Sequence, residues 1–99
     1  MGAKRGSDPL LLILVSLAGS PKHGHAMLLD IQAFAGLRLG PGTLYGAIGR
    51  LEEHGLIEAM PAHGRRRPYR LTPDGNHVLR SRLSSLGGTV RAGLERVAG

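Results

Sequence analysis

Three consecutive arginines, Arg65, Arg66 and Arg67, are preceded by His63 and followed by Arg70, so this short segment holds four of the chain's thirteen basic residues. Arginines grouped on a loop contact backbone phosphates or reach into a minor groove. The other group that could do chemistry is the stretch "GPGTLYGAIGRLEEHG", in which Thr43, Tyr45 and Arg50 are interspersed with Gly42, Gly46 and Gly49. Hydrogen-bonding side chains beside side-chain-free positions suit close approach to another macromolecule, because nothing holds the backbone away. The amino end of a helix starting at Pro41 would also present free N–H groups to a phosphate.

Other chemistries find no support in the residue pattern. The "GPGTLYG" glycines lack the G-x-G-x-x-G spacing of a dinucleotide loop and follow a helical segment, not a strand. His23, His25, His54 and His63 offer no i, i+4 pair and the chain has no cysteine, so neither a metal centre nor any cofactor is expected. No nucleophile, base and orienting acid can be assembled from spacing, and the chain is read as a non-enzyme.

Composition agrees with a polyanionic partner. Ninety-nine residues make one small unit, and thirteen Lys+Arg against seven Asp+Glu give a net charge of +6 and a pI near 11.1, which favours nucleic acid. The absence of cysteine suits a reducing cytoplasm. Lys4 and Arg5 ahead of the apolar run Leu10–Val15 imitate a secretory signal. Asp8-Pro9, however, reads as a cap and first residue of a buried helix, and the run is too short to span a bilayer. Gly6 stands where a myristoylation signal needs Ser or Thr. No membrane association is expected.

The elements that position these groups are predominantly helical. From Pro9 to Ala18 nearly every residue is apolar, which places a helix at the centre of the fold or between subunits, with Leu10 and Leu14 assigned to the latter role. A second helix from about His23 to Ala35 carries Met27, Ile31 and Phe34 on its inner stripe and closes at Gly36. A third, from about Pro41 to His54, buries Leu44, Ile48 and Leu51. On a wheel, these three lie within about 40° of the core direction while Gly42, Gly46 and Gly49 fall on the opposite face. "LIEAM" and "YRLT" alternate as two strands around the flexible basic loop "PAHGRRRP". Thr72-Pro73 starts a last helix whose Leu79, Leu83, Leu86, Val90, Leu94 and Val97 form a seam at spacings of four and three. That seam exceeds what a three-helix core requires, so a homodimer joined through this helix is expected, with Gly87-Gly88 allowing a bend. The expected fold is mainly α with a small β-hairpin: a winged helix-turn-helix over residues 8–72 and a dimerisation helix over 73–99.

The segments "KHGHAMLLDI", "GPGTLYGAIGRLEEHGLIEA" and "GRRRPYRLTPDGNHVL" together resemble the PadR family of bacterial transcriptional regulators, over roughly residues 10 to 80. The resemblance implies a winged-helix homodimer that binds palindromic operator DNA and represses transcription, and that in some members is released by an aromatic small-molecule effector near the dimer interface. Carried over by position, it places Gly42, Thr43, Tyr45 and Arg50 of the third helix, and Arg65, Arg66 and Tyr69 of the wing, on DNA.

Three residues depart from the family pattern. His25 stands where tyrosine is usual, Gly46 where proline follows "TLY", and Pro68 where the wing carries a basic or aromatic residue. The first two leave the module intact and bear on base preference. Pro68 cannot donate to a ladder, so its strand is expected to expose its N–H side there. With no tryptophan, stacking of a flat effector on indole is excluded. The competing reading is a winged-helix module whose third helix and wing bind a protein or RNA.

Overall fold

The computed structural model describes residues 8–99; the signal-like Lys4 and Arg5 and the position of Gly6 lie outside that range. In chain order the elements are α1 (Pro9–Gly19), β1 (Lys22–His23), α2 (Gly24–Ala35), α3 (Pro41–Glu53), β2 (Ile57–Ala59), β3 (Pro68–Leu71) and α4 (Pro73–Ala98). No described helix is long and apolar enough to cross a membrane.

The Asp8 carboxylate accepts the Leu10 amide at 2.9 Å and Pro9 follows as the first helical residue, so α1 begins where the sequence places its cap. It then runs through the middle of the fold, against α2, α3, α4 and β3. Its apolar circumference is used within the chain: Leu11, Leu12, Ile13, Leu14 and Leu17 are all buried with Met27, Ile31, Leu44, Ile48, Leu51, Ile57 and Leu79. Leu14 is therefore a core residue and not part of an intersubunit surface, while Leu10 is half-buried at the edge. The one buried polar side chain described, Ser16, donates to the Asp30 carboxylate at 2.7 Å. Lys22, 3.8 Å from Asp30, donates to the carbonyls of Ser16 and Ser20, closing the carboxyl end of α1 onto α2.

In α2, Met27 and Ile31 are buried as the stripe requires, but Phe34 is 46 % exposed. It lies in the last turn, just before Gly36 ends the helix in the left-handed region at φ 66°, beyond the reach of the core. In α3, Leu44, Ala47, Ile48 and Leu51 are buried, and Gly55 at φ 72° turns the chain directly into β2.

The sheet has three strands, in the order β1-β3-β2, both pairings antiparallel. The two-residue β1, which no alternation announces, pairs Lys22 with Tyr69 and His23 with Pro68. This makes β3 central and corrects the placing of Pro68 on an exposed strand edge. In an antiparallel strand a residue's N–H and C=O point to the same neighbour. The Pro68 carbonyl accepts from Met60 at 2.8 Å, so its missing N–H faces β2. The cost is one ladder bond at the strand's first residue, where proline is tolerated. The wing tip is closed by a hydrogen-bonded turn. His63 and Arg66 exchange both backbone hydrogen bonds, at 2.8 and 3.0 Å, around Gly64 at φ 61°. Positive φ at the first central residue alone fits a type II′ turn.

The Thr72 hydroxyl accepts the Gly75 amide at 3.0 Å and donates to the Gly55 carbonyl at 2.6 Å, so one residue caps α4 and ties it to the end of α3. The helix continues unbroken through Gly87-Gly88. Leu79 is buried in the chain's own core, which removes it from the expected seam. Beyond it, Leu83, Leu86, Val90, Leu94 and Val97 are between 44 % and 87 % exposed, most strongly at the far end. The outer half of α4 thus leaves the body of the fold, whose long dimension is 55 Å.

Candidate nucleic-acid interface

The open face of α3 is as bare as the sequence implies. Among the described residues, a methyl group added at Gly42, Gly46 or Gly49 would meet nothing within 4 Å, while the buried stripe on the other side fixes the helix against α1. Gly40 caps the helix without any side-chain acceptor and Pro41 has no N–H, so the amides of Gly42 and exposed Thr43 form its open, electropositive end.

Beside this face lies a cleft of about 230 Å³ that gathers three parts of the chain: His23, Gly24 and His25 at the amino end of α2, Tyr45 of α3, and Arg65, Arg66, Arg67 and Tyr69 of the wing. Among the described residues no carboxylate lines it. Tyr45, 54 % exposed, places the hydroxyl end of its ring where a side chain on Gly24 would otherwise stand. Tyr69 is half-buried, and its pKa is raised above 10.0, first by burial and then by the Glu52 carboxylate, with Arg67 opposing. Its phenol is therefore a protonated hydrogen-bond donor at neutral pH. The cleft presents guanidinium and phenol donors together, which suits phosphate or another anion.

The four wing arginines are not equivalent. Arg70 is engaged by Glu58 across β2 and β3 at 2.7 Å, whereas among the described residues none of Arg65, Arg66 and Arg67 pairs with a carboxylate. His63 occupies the base of the tip turn and does not line the cleft. Arg50 is also apart. It lies with Leu10, Leu51, His54 and Leu56 along an apolar cleft of about 270 Å³, and its carbonyl meets the His54 ring at 2.7 Å.

Two contributors escape sequence reasoning. His23 both pairs with the wing strand and accepts the Ala26 amide through Nδ1 at 3.3 Å, capping α2. Gly24 receives the Tyr45 ring. Both lie within the family-like segment "KHGHAMLLDI", but only the pairing of His23 with β3 and the contact of Gly24 with Tyr45 of α3 reveal what they do.

Residues 13–81 match the model of the transcriptional regulator PadR-like family. The chain is 40 % identical over 95 residues to Transcriptional regulator Rv3488 of Mycobacterium tuberculosis, covering 90 % of this chain and 88 % of that protein. It is 43 % identical over 82 residues to an uncharacterized 37.1 kDa protein in transposon TN4556 of Streptomyces fradiae, covering 83 % of this chain but only 24 % of that protein's length. Among solved structures, it is similar to a PadR family transcription regulator from Clostridium difficile R20291, with a TM-score of 0.78, 21 % identity and coverage of 92 % and 98 % of the two chains. A PadR family regulator from Eggerthella lenta gives a TM-score of 0.71 at 27 % identity, with coverage of 95 % and 83 %. Winged-helix architecture, matched residues and relatives agree: the chain belongs to the PadR-like family of transcriptional regulators.

Proposed function

We propose that this protein is a sequence-specific regulator that binds palindromic duplex DNA as a homodimer and represses transcription in the cytoplasm. The observation that carries the reading is the adjacency of the bare α3 face to a wing whose Arg65, Arg66 and Arg67 have no acidic partner among the described residues. Helix α3 enters the major groove with Thr43, Tyr45 and the amino-terminal amides leading, and the wing arginines hold adjacent phosphates or a minor groove. Arg50 and His63, at the margins of this surface, serve backbone contacts. The exposed Leu83, Leu86, Val90, Leu94 and Val97 join two copies and set the distance between half-sites. Release by an aromatic effector is the regulatory part of the reading and rests on the family alone.

The test is binding of the full chain to duplexes selected from a random pool, together with its own promoter region. A palindromic consensus bound in two-to-one stoichiometry supports the reading; failure to select any duplex overturns it. Gly46→Glu sharpens the test. It adds bulk and negative charge to the approach face but replaces an interior helical glycine by a better helix former. DNA binding is expected to fall at least about a hundredfold while the thermal midpoint stays level or rises, since mismatched contacts over several base pairs cost about 1–3 kcal/mol each.

A further inference from the structure

Gly24 is the first residue of α2 and is buried, yet its backbone does not call for glycine: the described glycines with positive φ are Gly36, Gly55 and Gly64. Alanine is ordinarily the better residue in a helix. What excludes a side chain here is Tyr45. A methyl group on Gly24 would press on Oη of that ring and lie 2.8 Å from Cζ and 2.9 Å from Cε1, inside van der Waals contact. All three atoms belong to one rotatable side chain, in contrast to Gly75, where the obstruction is the Leu56 backbone. Gly24 is thus glycine for the sake of where Tyr45 rests.

We propose that Gly24 is a positioning residue for Tyr45 and, through it, a determinant of which DNA sequence is bound. This rests on the DNA-binding reading above. Without a side chain at position 24, the hydroxyl end of the ring takes the space beside α2 that a Cβ would fill, and the ring lines the wing cleft together with Tyr69. A methyl group there turns the ring away from α2 and toward the face that Gly42, Gly46 and Gly49 keep clear. Position 24 itself is buried and uncharged, so the phosphate-contacting charges are unaltered.

The chain has two tyrosines and no tryptophan, so with Tyr69→Phe the tyrosine emission and the nitration rate report on Tyr45 alone. Gly24→Ala, Tyr45→Ala and the double variant are compared, as full chains, on a duplex enriched by the unaltered protein and on an unrelated duplex. Gly24→Ala is expected to weaken the enriched duplex roughly tenfold, the scale of one base contact. Affinity for the unrelated duplex and the salt dependence of binding remain unchanged, and Tyr45 nitration accelerates. In the Tyr45→Ala background Gly24→Ala changes nothing further. The proposal is overturned if Gly24→Ala costs as much without the Tyr45 ring, or if it leaves Tyr45 emission, nitration and selectivity as they were. Should Gly24→Ala fail to fold, the double variant must fold, because the obstructing ring is gone; failure of both overturns the proposal. If the unaltered protein selects no duplex, the DNA-binding reading and the specificity role fail together, and emission and nitration still decide whether Gly24 positions Tyr45.

Discussion

Arg82 donates to Asp8 at 2.9 Å, joining the first turns of α1 to the middle of α4 across most of the chain. The same carboxylate caps α1 through the Leu10 amide. Burial pushes the Asp8 pKa up, but the Arg82 hydrogen bond and charge and the backbone amides outweigh it, and the net value lies below 3.8. A carboxylate whose folded pKa is depressed contributes stability that is present above the unfolded value and lost as pH falls through the folded one. The thermal midpoint is therefore expected to fall as pH drops below about 4, and the difference between the unaltered protein and Asp8→Ala to shrink over the same interval. At neutral pH Asp8→Ala should cost about 1 kcal/mol, chiefly from the lost cap, because a partly exposed ion pair adds little. Thermal melts of the two proteins across the acid range check both statements.

Two glycine substitutions should act in opposite directions. Gly75→Ala drives a methyl group into the Leu56 backbone, 2.9 Å from its carbonyl carbon, where β2 and α4 are also tied by the Thr72 amide on the Leu56 carbonyl at 3.1 Å. Backbone cannot rotate aside, so destabilisation of about 2–3 kcal/mol is expected. Gly49→Ala meets open space and should stabilise by about 0.5–1 kcal/mol. Urea unfolding of the two variants gives the sign directly, and a stable Gly75→Ala protein would contradict the packing described.

Much of this arrangement is legible in the sequence where the cause is local. Asp8-Pro9, Thr72-Pro73 and Gly36 mark helix ends because caps and left-handed closures act over a few residues. The buried stripe of α3 and its bare opposite face follow from helical period alone. What escapes is set by distant partners. Strand β1 is two residues long and exists only because His23 and Lys22 meet β3; Phe34 continues the α2 stripe but outruns the core. Leu14 and Leu79 carry the same apolar signal as intersubunit residues, and only tertiary packing assigns them to the interior. Likewise, Arg50 shares an edge of the α3 wheel with Thr43, yet it lines the cleft of Leu10 and Leu56 and not that of the wing arginines.

The wing arginines should separate by partner. Replacing Arg65, Arg66 and Arg67 together by alanine is expected to reduce the slope of log affinity against log salt by about 2–3, at about 0.9 per phosphate contact. Arg70→Ala should change the slope little, since its guanidinium is already neutralised by Glu58. Fluorescence anisotropy titrations on one duplex over a range of potassium chloride concentrations measure both slopes. Equal effects of the triple and the single replacement would show that the tip turn is not what meets the phosphates.

The α4 seam makes the final prediction, because burial divides it sharply. Leu79→Ala opens a cavity in the chain's own core and should cost about 2–5 kcal/mol at any protein concentration. Leu86 and Val90 are 44 % and 57 % exposed in the single chain, so their replacement by aspartate should leave the monomer fold intact and act through self-association. If two copies pair along this seam, the unaltered protein has a thermal midpoint that rises with protein concentration. Leu86→Asp with Val90→Asp abolishes that dependence and halves the mass in sedimentation. A midpoint independent of concentration in the unaltered protein, with monomer mass throughout, would rule out the seam as a dimer contact and leave its five exposed apolar residues to a different partner.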